Sequence, residues 1–109
     1  MKIKDAKVFP LCDLAQLAQA QIQQDTPDID PIVAINHGLR KSGFSADALT
    51  ITNNRTNKRI LMILHDDKPD IVDYEFGSAS EDPTFKFNTI ELEKLTQQQL
   101  YNWMLTELR

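Results

Sequence analysis

The sequence predicts an α+β domain in which an antiparallel four-stranded meander carries two N-terminal helices and one C-terminal helix on one face. Two observations lead to this class. Apolar residues recur at helical spacing near both ends of the chain and alternate with polar residues in between, and the connections between the alternating segments are short and polar. Short connections favour antiparallel neighbours. The expected order is α-α-β-β-β-β-α, within a single domain covering residues 1–109.

The first predicted helix runs from Leu11 to Gln24. Alanine, leucine and glutamine dominate this segment, and all three are good helix formers. Its apolar residues fall at offsets that place them on one helical face. That face consists of Leu11, Leu14, Ala15, Ala18 and Ile22.

A second helix is predicted from Asp30 to Lys41. Asp30 is a good N-cap residue, and a proline follows it at the first helical position, where its missing N–H costs nothing. Ile32, Ile35 and Leu39 then have helical spacing. Basic residues occupy the last turn, and Ser42-Gly43 supplies a stop.

Four strands are expected after Phe44. Apolar and polar residues alternate over 49–53, 72–76 and 85–88, which is typical of half-buried strands. The segment Ile60–Leu64 is instead apolar at every position, as in a strand with both faces covered. We place it near the middle of the meander. Residues 89–94 either extend the last strand or form a helical turn.

The C-terminal helix has the clearest local signature. Thr96 and Gln99 have the spacing of a capping box, and Leu95 and Leu100 have the spacing of a hydrophobic staple. Together these pairs predict a helix that begins just after Thr96. Its expected apolar face is formed by Leu100, Trp103, Met104 and Leu108.

The strand Ile60–Leu64 is apolar on both faces, and this predicts an apolar patch on the surface of the sheet. If all helices lie on one face of the sheet, either Leu61 and Ile63 or their neighbours Ile60, Met62 and Leu64 must point to the other face. With Ile71 beside them, this leaves a small apolar patch among polar side chains, and such patches mark partner surfaces. Alternatively, a terminal segment containing Ile3, Val8 and Phe9 covers the patch.

Composition, charge and the lengths of apolar runs exclude several classes of protein. Twelve basic and sixteen acidic residues give a net charge of −4, which argues against a uniformly basic nucleic-acid-binding surface. The longest apolar run has five residues, far below the roughly 20 of a membrane-spanning helix. The N-terminus lacks the apolar core of a signal peptide, and a single cysteine fits a reducing compartment. We therefore expect a cytoplasmic protein.

One candidate metal site lies at His65, Asp66 and Asp67, where an imidazole and two carboxylates follow the apolar strand. A metal site needs three or four converging ligands, and no second histidine has suitable spacing. The segment 66–70 also matches a polar hairpin turn, with proline and aspartates in their preferred roles. The turn is the favoured interpretation.

Cys12 and His37 were considered as a nucleophile and base, but each has a simpler interpretation. Cys12 suits an amphipathic helix as a small buried residue, and His37 falls on the polar side of its predicted helix, exposed to solvent. No hydrolase, phosphate-binding, redox or metalloprotease motif is present in the sequence. The sequence assigns no catalytic residue, no metal ligand and no cofactor.

A basic cluster at Arg55, Lys58 and Arg59 lies in a predicted hairpin loop and makes nucleic acid a third possibility. The loop has no aromatic residue for base stacking, and the segment 66–82 carries seven acidic residues. The leading hypothesis is therefore a non-catalytic module that binds itself, as a homodimer, or another protein through the open face of its sheet. A metal-dependent enzyme at His65, Asp66 and Asp67 is the alternative.

Overall fold

The computed structural model describes residues 7–81 and 87–109, which form one antiparallel sheet with the two long helices on one side. The α+β class is confirmed, but the sheet has five strands. A 3-10 turn at Leu92–Lys94 precedes the last helix. The helices and strands in chain order are α1 Val8–Asp25, β1 Pro31–Asn36, α2 Gly38–Lys41, β2 Ala46–Asn53, β3 Lys58–His65, β4 Ile71–Ser78, β5 Asn88–Glu91 and α3 Gln97–Glu107.

The sheet is a meander in which each strand pairs with the next one along the chain, in the order β1-β2-β3-β4-β5. The central strand is β3, the apolar segment that the sequence places near the middle. Its register sets Met62 opposite Leu49 on β2 and opposite Tyr74 on β4. Because directly opposite residues share a face, these three side chains lie on the same side of the sheet.

The predicted second helix is wrong over most of its length. Residues Pro31–Asn36 form the outer strand β1, and only Gly38–Lys41 make a single helical turn. Ile32, Val33 and Ile35 are β-branched and favour a strand, while a leading proline is as acceptable in an edge strand as at a helix start. Pairing with β2 decides between the two, since isolated helices of this length are marginal.

The last predicted strand is shifted towards the C-terminus. Phe85 and Lys86 lie outside the residues that the structure describes, and β5 begins directly after Phe87. The two outcomes left open for residues 89–94 both occur: the strand continues to Glu91, and the 3-10 turn follows.

The main core lies between the sheet and the pair α1 and α3. The predicted face of α1 is buried except for Leu14, which is partly buried, and Cys12 is buried beside it. The helix begins at Val8, three residues before the expected start. The cap of α3 is formed by the Thr96 hydroxyl, which accepts a hydrogen bond from the Gln99 N–H at 3.1 Å. Leu95 and Leu100 are both buried beside it, as a staple requires. Within the described part of the chain, no helix has the length and apolarity needed to cross a membrane.

The opposite face of the sheet is not open at β3. Leu61 and Ile63 are each 8% exposed and form a second, smaller cluster with Ala46 and Ala48. Leu39 of α2 and Phe87 pack against this cluster. The expected apolar patch is therefore covered, because the turn that replaces the predicted helix carries Leu39 across this face.

The terminal segment does not supply that cover in the way the alternative proposed. Val8 is buried in the main core and Phe9 packs against it, so both belong to the helix-covered side. Ile3 lies outside the described residues. Ile71, the expected neighbour of the patch, is half-buried.

Candidate functional site

Four charged or titratable side chains meet at the end of the sheet where α2 joins it. His37 lies between β1 and α2, Arg40 on α2, Asp47 on β2, and Asp66 directly after β3. We call these four residues the charge network. It connects the consecutive elements β1, α2 and β2 to the end of β3, where Asp66 lies 26 residues after Arg40.

The centre of the network is a two-point ion pair. Arg40 donates from Nε to Asp47 Oδ1 and from Nη2 to Asp47 Oδ2, both at 2.8 Å. Asp47 is 1% exposed and lies on the helix side of β2, opposite Leu64. A carboxylate this deeply buried is costly unless it is paired and hydrogen-bonded, and the planar guanidinium matches both of its oxygens.

Asp66 holds the other side of the same guanidinium. Arg40 Nη1 and Nη2 each donate to one Asp66 oxygen at 2.7 Å. The turn that carries Asp66 is itself tied to the start of β2, since the Asp66 N–H donates to the carbonyl of Ser45. One arginine thus joins α2 to β2 and to the β3–β4 turn.

His37 completes the network from the end of β1. Its Nδ1 lies 2.6 Å from Asp47 Oδ1, and its ring centroid is 6.1 Å from that of Phe9 on α1. The side chain is 31% exposed and contacts Asp47, whereas the sequence predicts a solvated histidine on the polar side of a helix. The cause is the strand β1, which ends at Asn36 and delivers the next residue to Asp47.

The electrostatics follow from this geometry. Burial alone raises the pKa of Asp47, but hydrogen bonds from Arg40 and His37 outweigh it and leave that pKa below its ordinary value. The hydrogen bonds from Arg40 also lower the pKa of Asp66. Both carboxylates in turn raise the pKa of Arg40. Arg40 and each of the two carboxylates therefore stabilise one another's ionised forms.

A histidine held by a buried carboxylate can act as a general base, but a nucleophile is needed for covalent catalysis. Cys12, the residue considered for that role, is buried on α1, and burial followed by the charge of Asp13 raises its pKa. Both effects disfavour the reactive thiolate. The geometry therefore favours a structural role for the network, which fixes the end of β1 on the sheet.

The candidate metal ligands His65, Asp66 and Asp67 point to different partners. His65 Nε2 lies 3.1 Å from Asp73 Oδ2 on the neighbouring strand, both oxygens of Asp66 are bound by Arg40, and Asp67 is exposed. Over residues 7–81 and 87–109, no group of three or more histidine, cysteine or acidic side chains is placed to hold a metal ion. The segment forms the polar turn between β3 and β4.

The basic cluster is dispersed along the β2–β3 hairpin. Arg55 and Lys58 are exposed, whereas Arg59 is half-buried and donates to the carbonyl of Glu81 at 3.3 Å. Lys58 and Arg59 are consecutive strand residues and point to opposite faces. This hairpin and the basic end of α2 lie at opposite ends of β2, so they do not form one continuous basic surface.

The hairpin is anchored to the end of α3. The Asn53 side-chain amide and the Thr56 hydroxyl each donate to the carbonyl of Leu108 at 2.7 Å. Asn57 adopts a positive φ of 60°, a conformation that asparagine tolerates in turns. These contacts account for the polar residues of the loop without a ligand.

The second distinctive feature is the outer strand β1. It pairs with β2 through a continuous one-to-one register and carries no charged residue. Ile32 is 49% exposed and Ala34 is exposed, both on the face away from the helices. Within the described residues, β1 has no strand on its other side.

Sequence reasoning missed both features. The predicted strand began at Leu49, so Asp47 was left outside it, although a lone aspartate between Ala46 and Ala48 is a signal of a paired polar group at a core position. Comparison of the chain with models of protein families, with curated proteins and with solved structures gives no match.

Proposed function

We propose that this chain is a non-catalytic association module that binds an extended protein segment along the outer edge of β1. The observation that carries the proposal is the state of that edge: six residues long, uncharged and free of bulges. Unpaired strand edges are templates for another strand, and proteins that avoid such pairing shorten them, charge them or bend them.

The other edge of the sheet shows this protection. The strand β5 has four residues and ends at Glu91, and the 3-10 turn that follows it adds Glu93. A short edge with acidic side chains disfavours a further strand. The two edges of the sheet therefore differ in length and charge. The edge of β1 is longer and uncharged, although its first residue, Pro31, has no N–H and its carbonyl accepts a hydrogen bond from Gln19 Nε2 at 2.6 Å.

Side chains next to the edge suit an added strand. Ile32 and Ala34 on the outer face stand opposite Thr52 and Thr50 of β2. An incoming strand would cover Ile32 and remove apolar surface from water, which adds to the main-chain hydrogen bonds.

The charge network supports the proposal by holding the edge in place. His37 follows the last residue of β1 and is bound to the buried Asp47, which is itself fixed by Arg40. A strand edge that is already ordered loses little conformational freedom on binding. The network thus has a part in binding without contacting the partner.

The alternatives have weaker support. A metal-dependent enzyme at His65, Asp66 and Asp67 requires ligands that converge, but His65 pairs with Asp73, Asp66 pairs with Arg40, and Asp67 is exposed. A nucleic-acid regulator at Arg55–Arg59 requires a continuous basic surface. We place the module in the cytoplasm, on the evidence of its single, buried cysteine.

The test uses two matched variants. Ile32→Lys places a charge on the edge strand, and Leu17→Lys makes the same change at an exposed position of α1 that is 54% accessible. Peptides selected from a random display library on the wild-type chain should bind the Leu17→Lys variant equally and lose at least tenfold affinity for Ile32→Lys. Binding should also slow hydrogen exchange of the β1 amides. A selection without binders on a chain that is also monomeric, or peptides that bind both variants equally, would overturn the proposal.

A further inference from the structure

We infer that the strand bound by β1 is the β1 of a second copy of this chain, paired antiparallel about a two-fold axis. The inference rests on the proposed function and adds the identity and the register of the partner. It is carried by the pattern of side chains on β1 and by the charges at its two ends.

The pleat of the strand limits the possible registers. Pro31, Val33 and Ile35 face the helix side, while Ile32 and Ala34 face the other side. Directly opposite residues of paired strands lie on the same face, so a two-fold axis must pass through a residue pair of one face.

An axis at Val33 places Ile32 opposite Ala34 of the partner subunit, twice by symmetry. This buries the half-exposed isoleucine against an apolar neighbour. The next register, with its axis at Ala34, would place Ile32 opposite the polar Asn36 instead. An axis at Ile32 would set the two isoleucines opposite each other but would pair only Pro31–Val33 of the strand. The axis at Val33 pairs Pro31–Ile35 and keeps Ile32 against an apolar neighbour, so it is the favoured register.

Charges at the ends of β1 select the antiparallel direction. Asp30 directly precedes the strand and is exposed, whereas His37 and the exposed Lys41 follow it. Lys41 has no ion-pair partner among the described residues. At that end Arg40 is already paired with Asp47 and Asp66, so Lys41 supplies the free positive charge. Antiparallel pairing brings Asp30 of one copy to the end of the interface where Lys41 of the other lies, twice by symmetry.

The net charge of −4 limits which surfaces of two copies can associate. Two copies repel each other overall, so association requires a surface where charge is absent or complementary. The edge of β1 offers both, with no charge along its length and opposite charges at its ends.

The register is tested by cysteine cross-linking in a Cys12→Ala background. Ile32→Cys and Ala34→Cys each place a thiol at an exposed site. With the axis at Val33, oxidation of a mixture of the two variants should give a covalent dimer, and oxidation of either variant alone should give little. Opposite strand residues lie within the range that a disulfide can bridge. Cross-linking of Ala34→Cys alone would overturn this register.

The direction of pairing is tested by charge exchange. Asp30→Lys or Lys41→Asp alone sets like charges against each other twice in the dimer and should weaken association about tenfold, as measured by analytical ultracentrifugation at low salt. The double variant exchanges the charges and should recover to within about threefold of the wild type. Failure of the double variant to recover would overturn the antiparallel arrangement.

The outcomes separate this inference from the proposed function. A wild-type chain that remains monomeric up to about 1 mM, a weak affinity limit, overturns self-pairing; if selected peptides still distinguish Ile32→Lys from Leu17→Lys, strand binding at β1 stands. A dimer that the Ile32→Lys variant leaves intact places the interface elsewhere and overturns self-pairing at this edge.

Discussion

Arg40 binds both carboxylate oxygens of the buried Asp47 at 2.8 Å and, with the same guanidinium, both oxygens of Asp66 at 2.7 Å. The arginine thereby joins α2 to the start of β2 and to the turn after β3. A buried ion pair contributes little net stability compared with apolar packing, but removal of one partner leaves a buried charge uncompensated. The expected consequence is a strong dependence of folding on this one side chain.

Arg40→Met should lower the free energy of unfolding by about 3 kcal/mol, since Asp47 would remain buried without its cation. Arg40→Lys should recover only part of the loss, because an ammonium cannot bind two carboxylates through a planar fork. Arg55→Met, at an exposed arginine of the β2–β3 hairpin, serves as the control and should change stability by less than about 0.5 kcal/mol. Urea unfolding measures all three. Equal effects of the Arg40 and Arg55 substitutions would contradict the network's role.

Acid should destabilise the protein through the same network. The pKa values of Asp47 and Asp66 are lower in the folded state than in the unfolded chain. On acidification the unfolded chain therefore takes up protons first, and the stabilisation present above about pH 5 is lost as pH falls through the folded pKa values.

The measurement is urea unfolding between pH 3 and pH 7. Asp66→Asn removes one of these carboxylates and should make the acid-side slope of stability against pH shallower than in the wild type. Thr106→Ala, which changes no charge, should keep the wild-type slope. An unchanged slope in Asp66→Asn would show that this carboxylate does not contribute to acid sensitivity.

Leu61→Ala should cost about 2–3 kcal/mol, because Leu61 is buried in the second apolar cluster rather than lying on an open face. The control is Leu17→Ala, at an exposed position of α1, with an expected change below about 0.5 kcal/mol. Equilibrium unfolding at low protein concentration compares them. A Leu61→Ala variant as stable as the control would show that this side of β3 is open in solution.

Thr96→Ala should cost about 1 kcal/mol by removing the acceptor for the Gln99 N–H at the start of α3. Thr106→Ala, on the exposed side of the same helix, should cost less than half as much. Thermal unfolding detects the difference as a lower midpoint for the cap variant. Equal midpoints would mean that the cap does not contribute to the stability of α3.

Local signals predicted the elements that depend on local interactions. The apolar stripe of α1 and the cap of α3 lie within a few residues of each other in sequence, so the chain itself contains the information. The segment 30–41 was mispredicted because its apolar residues fit two periods. Ile32, Ile35 and Leu39 have helical spacing, while Pro31, Val33 and Ile35 alternate as in a strand.

The charge network could not be assembled from the sequence. Arg40 and Asp66 are 26 residues apart, and their contact depends on the β2–β3 register. Asp66 was considered as a metal ligand because its nearest neighbours are His65 and Asp67. In the fold His65 contacts Asp73 and Asp67 is exposed, so proximity in sequence does not bring the three side chains together.

The sequence by itself determined the α+β class, the antiparallel meander with an apolar central strand, and the start of α3, which is set by its cap. These are consequences of backbone preference and of periodic burial over short stretches. Only the tertiary structure decided that residues 31–36 join the sheet and that Leu61 and Ile63 are covered. It also brought Arg40 between two carboxylates. Each of these features depends on contacts between segments that are separated in sequence. A local sequence pattern carries no information about such contacts.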